Sequence, residues 1–172
     1  MQAIEKFLDA RMELIRKSIN AVIITIFAVQ VVLIFSQVVW RFVFNNPFPW
    51  SEELARHLQV WLILLASSVC IRKGRHLAVD YATHALPFGI NKILKLIIMV
   101  FIMFFTIILI IFGIKMILIT IHQITPATRV PILFVYSAFP LTGFFMFMEA
   151  LIVFLRLTGV KNEVDMETLY SK

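Results

Sequence analysis

Four long apolar runs, at about residues 20–42, 52–71, 96–121 and 132–155, govern what this chain can fold into. Each has the length of a hydrocarbon-crossing helix, which takes roughly 20 residues. Within hydrocarbon, every backbone N–H and C=O needs a partner from the protein, and a helix supplies one inside the segment itself. Of the 172 residues, 61% are hydrophobic, more than a soluble domain of this size can bury. The expected fold is therefore all-α: an integral membrane protein with four transmembrane helices in a single domain, residues 1–172. No repeat or low-complexity segment is visible, and the two halves show no convincing inverted repeat of the kind secondary transporters often carry.

Residues 1–19 are charged but patterned. Ile4, Leu8, Met12, Ile15 and Ile19 share one helical face, while Glu5, Lys6, Asp9, Glu13, Arg16 and Lys17 mostly fall elsewhere. This reads as an amphipathic helix, either lying on the membrane or extending the first span. It is not a cleavable signal peptide. The charged lead and the apolar run are both too long, and Arg41 follows without a small-residue cleavage site. The single cysteine, Cys70, lies in an apolar run and has no internal disulfide partner.

The most informative stretch lies between the first two spans. Pro47 and Pro49 prevent one helix from running through. Ser51 is a natural N-cap, and Glu52 and Glu53 then occupy a first turn, where the helix dipole favours negative charge. Trp50 suits the lipid–water boundary. Glu52 and Arg56 are four apart and can pair. Charges this close to hydrocarbon need partners, so Arg41, Glu52, Glu53 and Arg56 are expected to form a structural charge cluster rather than a substrate site.

Other polar residues sit deeper. Gln30, Gln37 and Arg41 are spaced seven and four apart and stack on one face of the first span. Such a stripe faces protein, either this chain's own bundle or a partner. Lys115 lies near the far end of the third span, where it can snorkel. Glu149 is the carboxylate well inside a span, a functional candidate by position, with Arg156 within two turns as a local partner. Pro140 is a kink position in the fourth span. After the second span comes Arg72-Lys73-Gly74-Arg75-His76, with His76, Asp80 and His84 at successive fourfold spacing. No second ligand cluster accompanies this ladder, and helical His–Asp pairing explains it without a metal.

The basic residues orient the chain. With four spans, the N-terminus, the second link and the C-terminus share one side, which holds twelve of the sixteen lysines and arginines; the other holds Arg41, Arg56, Lys115 and Arg129. That asymmetry places both termini in the cytoplasm and residues 50–56 outside. The net charge of +6 thus reflects topology and not nucleic-acid binding.

Three segments in order, Arg41-Phe42-Val43-Phe44-Asn45-Asn46-Pro47, Trp50-Ser51-Glu52-Glu53-Leu54-Ala55-Arg56 and Ile71-Arg72-Lys73-Gly74-Arg75-His76-Leu77-Ala78-Val79-Asp80, resemble the small, DctQ-like membrane subunit of TRAP (tripartite ATP-independent periplasmic) transporters. The region holding the motifs spans about 40 residues, and the four-span plan with both termini inside extends the resemblance to nearly the whole chain. The resemblance implies a scaffold in the bacterial inner membrane. Its partners would be membrane lipids, a large elevator-type membrane subunit carrying the substrate and sodium sites, and a periplasmic binding protein. The cargo would be an organic acid, sialic acid ahead of a C4-dicarboxylate. It implies no enzyme activity and no cofactor, and since the chain ends after Lys172, a subunit separate from the large one. In this view Gln30, Gln37, Arg41, Trp50, Glu52, Glu53 and Arg56 are structural or partner-facing. Arg72, Gly74, His76 and Asp80 form a cytoplasmic-side motif. Two rival readings are an autonomous small transporter or channel using Glu149 and Lys115, and a membrane enzyme using His76, Asp80 and His84.

The topology predicts that, in intact cells, an impermeant thiol reagent modifies a cysteine placed at Thr128 but not one placed at Gly74. The reverse labelling pattern would invert the orientation.

Overall fold

A computed structural model describes residues 2–46, 49–72 and 88–159. Its long elements are α1 (Gln2–Val43), α2 (Pro49–Arg72) and α3 (Phe88–Thr120), followed by a short α4 (Leu133–Tyr136) and by α5 (Ala138–Gly159). Four segments are long and apolar enough to cross a membrane: Ile15–Val43, Pro49–Arg72, Gly89–Thr120 and Leu133–Gly159. The all-helical, four-span expectation holds.

The element boundaries differ from the sequence reading in instructive ways. Of the two readings of the N-terminal amphipathic segment, extension of the first span is the one observed: α1 runs unbroken for 42 residues, because nothing between Gln2 and Val43 is a proline or glycine. At 1.5 Å per residue it is about 63 Å long, twice the hydrocarbon thickness of roughly 30 Å. It ends at Val43, and Asn45, two residues on, takes a left-handed φ of 50°, a conformation asparagine tolerates better than most residues. Helix α2 starts at Pro49, so Ser51 lies inside its first turn and is buried, not an N-cap. Proline suits that first position, since its φ is already helical and its missing N–H would have had no helical partner. Helix α3 starts eight residues before the expected Leu96 and takes in Gly89, Lys92 and Lys95. The fourth span is interrupted at Ser137, between α4 and α5. Pro140 explains the position: it has no N–H for the Tyr136 carbonyl, and its ring crowds that oxygen. Helical bonding resumes from Leu141 N to Ser137 O at 3.3 Å.

Helix α5 is the most buried span and touches α1, α2 and α3, whereas α1 is the least buried. Two apolar clusters fasten α5. Met146 and Ala150 pack with Ile71 of α2, against Ile102 and Met103. Val153 and Leu157 pack with Met99 of α3. Two buried hydroxyls are satisfied within their own helices, Thr106 donating to Met103 O at 2.8 Å and Ser68 to Leu65 O at 2.7 Å. Apolar surroundings offer a hydroxyl no other partner, and without those bonds each would oppose burial.

Glycine sets the α3–α5 separation. A Cβ on Gly113 would come within 2.8 Å of Phe139 Cβ and of Pro140 Cδ. One on Gly143 would come within 2.9 Å of Ile110 Cγ1 and Leu109 Cδ2. Close backbone approach through small residues is a main source of helix association in lipid, where lipid tails are as apolar as leucine. Proline's ring at the first contact cannot rotate away; the Leu109 and Ile110 side chains at the second can.

We therefore expect Gly113→Ala to destabilise the chain in detergent, by on the order of 1–3 kcal/mol for overpacking, and Gly143→Ala to do so less. Gly89→Ala, whose added Cβ would meet nothing within 4 Å, should be neutral or slightly stabilising. Unfolding followed by circular dichroism measures all three, and equal effects would refute the close-contact account.

Candidate functional site

The first turn of α2 carries a charged site at one end of the bundle. Arg56 Nη2 donates to Glu52 Oε1 at 2.7 Å, one turn apart, and both side chains are exposed. A pair of this kind contributes only a few tenths of a kcal/mol, about 0.3–0.5. Glu53 does something the sequence does not reveal. Its Oε2 accepts the backbone N–H of Ala127 at 2.9 Å and of Thr128 at 2.7 Å, in the connection between α3 and α4. Charge-assisted bonds from consecutive amides are the strong kind.

That connection is folded tightly on itself. Thr125 N bonds Val130 O and Ile132 N bonds Gln123 O, both at 3.0 Å. Thr125 Oγ1 accepts from Val130 N at 3.0 Å and lies 2.6 Å from Thr128 Oγ1. Arg129 takes a left-handed φ of 54° at the turn. The amides of residues 127 and 128 thereby converge on one carboxylate oxygen, and Glu53 ties this loop to α2.

The expected four-residue cluster separates into distinct contacts. Arg41 lies over the Phe42 ring at 5.8 Å, Glu52 pairs with Arg56, and Glu53 holds the loop. Trp50 is exposed at the start of α2. The polar stripe of α1 grades outward: Gln30 is buried, Gln37 half-buried and Arg41 exposed. Gln30 Oε1 has no hydrogen-bond partner, which costs about 1–3 kcal/mol for a buried acceptor. Arg72 closes the last turn of α2; Gly74, His76, Asp80 and His84 lie outside the described residues. Among the described residues no group of three histidines, cysteines or carboxylates is placed to hold a metal ion.

The second charged site joins α1 to α5. Glu149 is buried, and both its oxygens are bonded by Arg16, Nε to Oε1 at 2.7 Å and Nη2 to Oε2 at 2.6 Å. The two side chains are 14% and 5% exposed. Sequence reading offers Arg156 as the partner, from the same helix; the bidentate partner is 133 positions away. A planar guanidinium matches a carboxylate in this geometry, which lysine cannot do. Lys115, the other residue of the autonomous-transporter reading, is exposed and lies over Phe112 at 5.4 Å. The structure does not bring it to Glu149. The only signal for Arg16 in the sequence is its place in the last turn of the amphipathic lead, four residues before the first apolar run, and its assignment to the polar face points away from burial.

Comparisons with known proteins bear on residues 30–159, which match the family model for the DctQ component of tripartite ATP-independent periplasmic transporters. A 68-residue stretch is 38% identical to the sialic acid TRAP transporter permease protein SiaT of Haemophilus influenzae, covering 40% of this chain and 11% of that protein. Over 84 residues the chain is 34% identical to a Haemophilus influenzae protein named as a TRAP transporter small permease protein, covering 48% and 52%. Over 80 residues it is 31% identical to the sialic acid TRAP transporter small permease protein SiaQ of Vibrio cholerae, covering 44% and 46%. The chain thus spans about half the length of the two small permease relatives and a small part of the first. Glu149 lies within the family match and Arg16 before it.

Breaking the buried pair should be costly from either side, because the remaining charge is stranded. Arg16→Ala and Glu149→Ala should each lose about 3–5 kcal/mol of unfolding free energy. The double variant should lose much less than the sum, and additive losses in this double-mutant cycle would mean that the two residues do not interact.

Proposed function

The chain belongs to the DctQ component family of tripartite ATP-independent periplasmic transporters, and from that membership we propose that it is the scaffold on which a larger membrane subunit moves its substrate. The family is one of transporter components rather than enzymes, and with four apolar spans the chain is a multi-pass protein of the bacterial inner membrane. The proposed partners are a large membrane subunit that carries the substrate and sodium sites, and a periplasmic substrate-binding protein that delivers an organic acid. Sialic acid is the favoured cargo, since two of the three relatives carry it in their names; a C4-dicarboxylate comes next.

One observation carries the scaffold reading. Glu149 is the buried charged side chain among the described residues, and Arg16 fills both of its oxygens. A transport site must release its cargo alternately to two sides, and such sites are usually built from broken helices at a repeat interface. A bidentate pair within hydrocarbon is instead a fixed strut, since opening it would strand two charges. The Glu53 clamp and the glycine contacts of α3 and α5 add rigidity at other depths. These features suit a chain that stays still while a partner moves.

Proteoliposomes loaded against a sodium gradient, with the binding protein outside, test the proposal. Sialic acid uptake should require both membrane subunits and vanish when either is left out. Uptake by this chain alone would overturn the scaffold reading and favour the autonomous transporter.

A further inference from the structure

We propose, resting on the subunit reading above, that Lys115 pairs with a carboxylate of the large membrane subunit, which makes the outward face of α3 a side on which the two chains meet. By sequence Lys115 can snorkel toward the nearer end of its span; the structure turns it the other way. Helix α3 ends at Thr120, five residues beyond Lys115, or about 7.5 Å at helical rise. The Lys115 amine instead lies over the ring of Phe112, 5.4 Å from its centroid, and Phe112 is one turn further from that end. Side chains on a helix lean toward its N-terminus, so a lysine close to the C-terminal end is directed back along the span. Apolar surface also continues past the lysine, since Met116, Leu118 and Ile119 are exposed.

The face that carries Lys115 looks away from this chain's own bundle. A Cβ on Gly113, two residues earlier, would meet Phe139 and Pro140 of α5, and two residues turn a helix by about 200°. Lys115 itself is exposed, as are Ile97, Phe101, Phe104, Phe112 and Ile119 on the same side. Among the described residues no carboxylate pairs with it. Glu13, Glu52 and Glu149 hold Lys17, Arg56 and Arg16, and Glu53 holds the loop amides.

Charge chooses the occupant. Ionisable side chains in membrane helices face protein or a watery cavity and pair there, and an aromatic face offsets only part of the cost of a cation in hydrocarbon. This lysine faces out of its own bundle, so the protein that it faces belongs to another chain. A phospholipid carries its phosphate in the headgroup layer, toward the end of the span from which the amine is turned, and its acyl chains hold no acceptor. A second copy of this chain, related by a two-fold axis, would present the same face, which has no carboxylate. What fits is a membrane helix with an aspartate or glutamate at the depth of Phe112. Membership of a family of transporter components makes the large subunit the chain that presents it.

The test uses the complex of the full-length chain with the large subunit, purified in mild detergent. A hydrocarbon-soluble carbodiimide joins an amine to an adjacent carboxylate as an amide, with loss of water. Peptide mass spectrometry should find Lys115 joined to an aspartate or glutamate of the large subunit, and Lys115→Arg should abolish the link while the complex persists. Lys115→Glu should lower recovery of the large subunit on the tagged chain by roughly tenfold, because like charges then meet at the interface. Replacing the cross-linked carboxylate with lysine in the same complex should restore recovery. Lys115 is exposed, so the variant chain should keep its circular dichroism; if it does not, Lys115→Leu takes its place. Wild-type recovery with Lys115→Glu would overturn this contact and leave the subunit reading intact. Failure of the unaltered chain to bind the large subunit would overturn both. A loss that appears only when phosphatidylglycerol is present, with no cross-link, would give the lysine to a lipid phosphate and overturn the proposal.

Discussion

A carboxylate in hydrocarbon must be neutralised, and Glu149 meets that requirement through Arg16 at 2.6 and 2.7 Å. The consequence reaches through the bundle. Helix α5 packs against every other long helix, yet α1 is the one it touches least among them. The ion pair fixes where the longest and least buried helix meets the central one. Its depth matters because the penalty for separating two charges grows as the surroundings lose water.

The opposite end of the bundle is fastened differently. There the requirement is to satisfy a turn's backbone amides, and Glu53 does so for Ala127 and Thr128. One site joins the first span to the last, and the other joins the second span to the loop ahead of the last. Between them, Gly113 and Gly143 let α3 and α5 come closer than any larger residue would allow. None of the three depends on expelling water from apolar surface, the dominant force in soluble proteins. Hydrocarbon removes that force between helices and leaves packing, hydrogen bonds and ion pairs to decide the arrangement.

This division of labour fits a subunit whose outer surface meets lipid or protein and in which the buried charge among the described residues, Glu149, is already bonded through both oxygens. The family match begins at Gln30 and ends at Gly159. It takes in the glutamates of both anchoring sites but not Arg16. The partner of the most deeply placed carboxylate thus comes from the part of the chain that the family model does not describe.

Features that depend on neighbours along the chain are legible without the structure. Length and hydropathy defined four spans, because backbone satisfaction in hydrocarbon admits a helix for each. Fourfold spacing found the Glu52–Arg56 pair, Pro140 marked the interruption at Ser137, and a proline-rich link separated the first two spans. Where local structure departs from the expectation, a competing local rule is the cause: Pro49 opens α2 itself and leaves Ser51 inside the first turn. Which side chains meet across helices emerges from the packing alone. Glu53 finds amides 74 and 75 positions away, and Glu149 finds Arg16 at a separation of 133. Helical periodicity tells which residues share a face of one helix. It carries no information on how that helix is rotated, tilted or raised against another, and those are the variables that bring a carboxylate to its guanidinium.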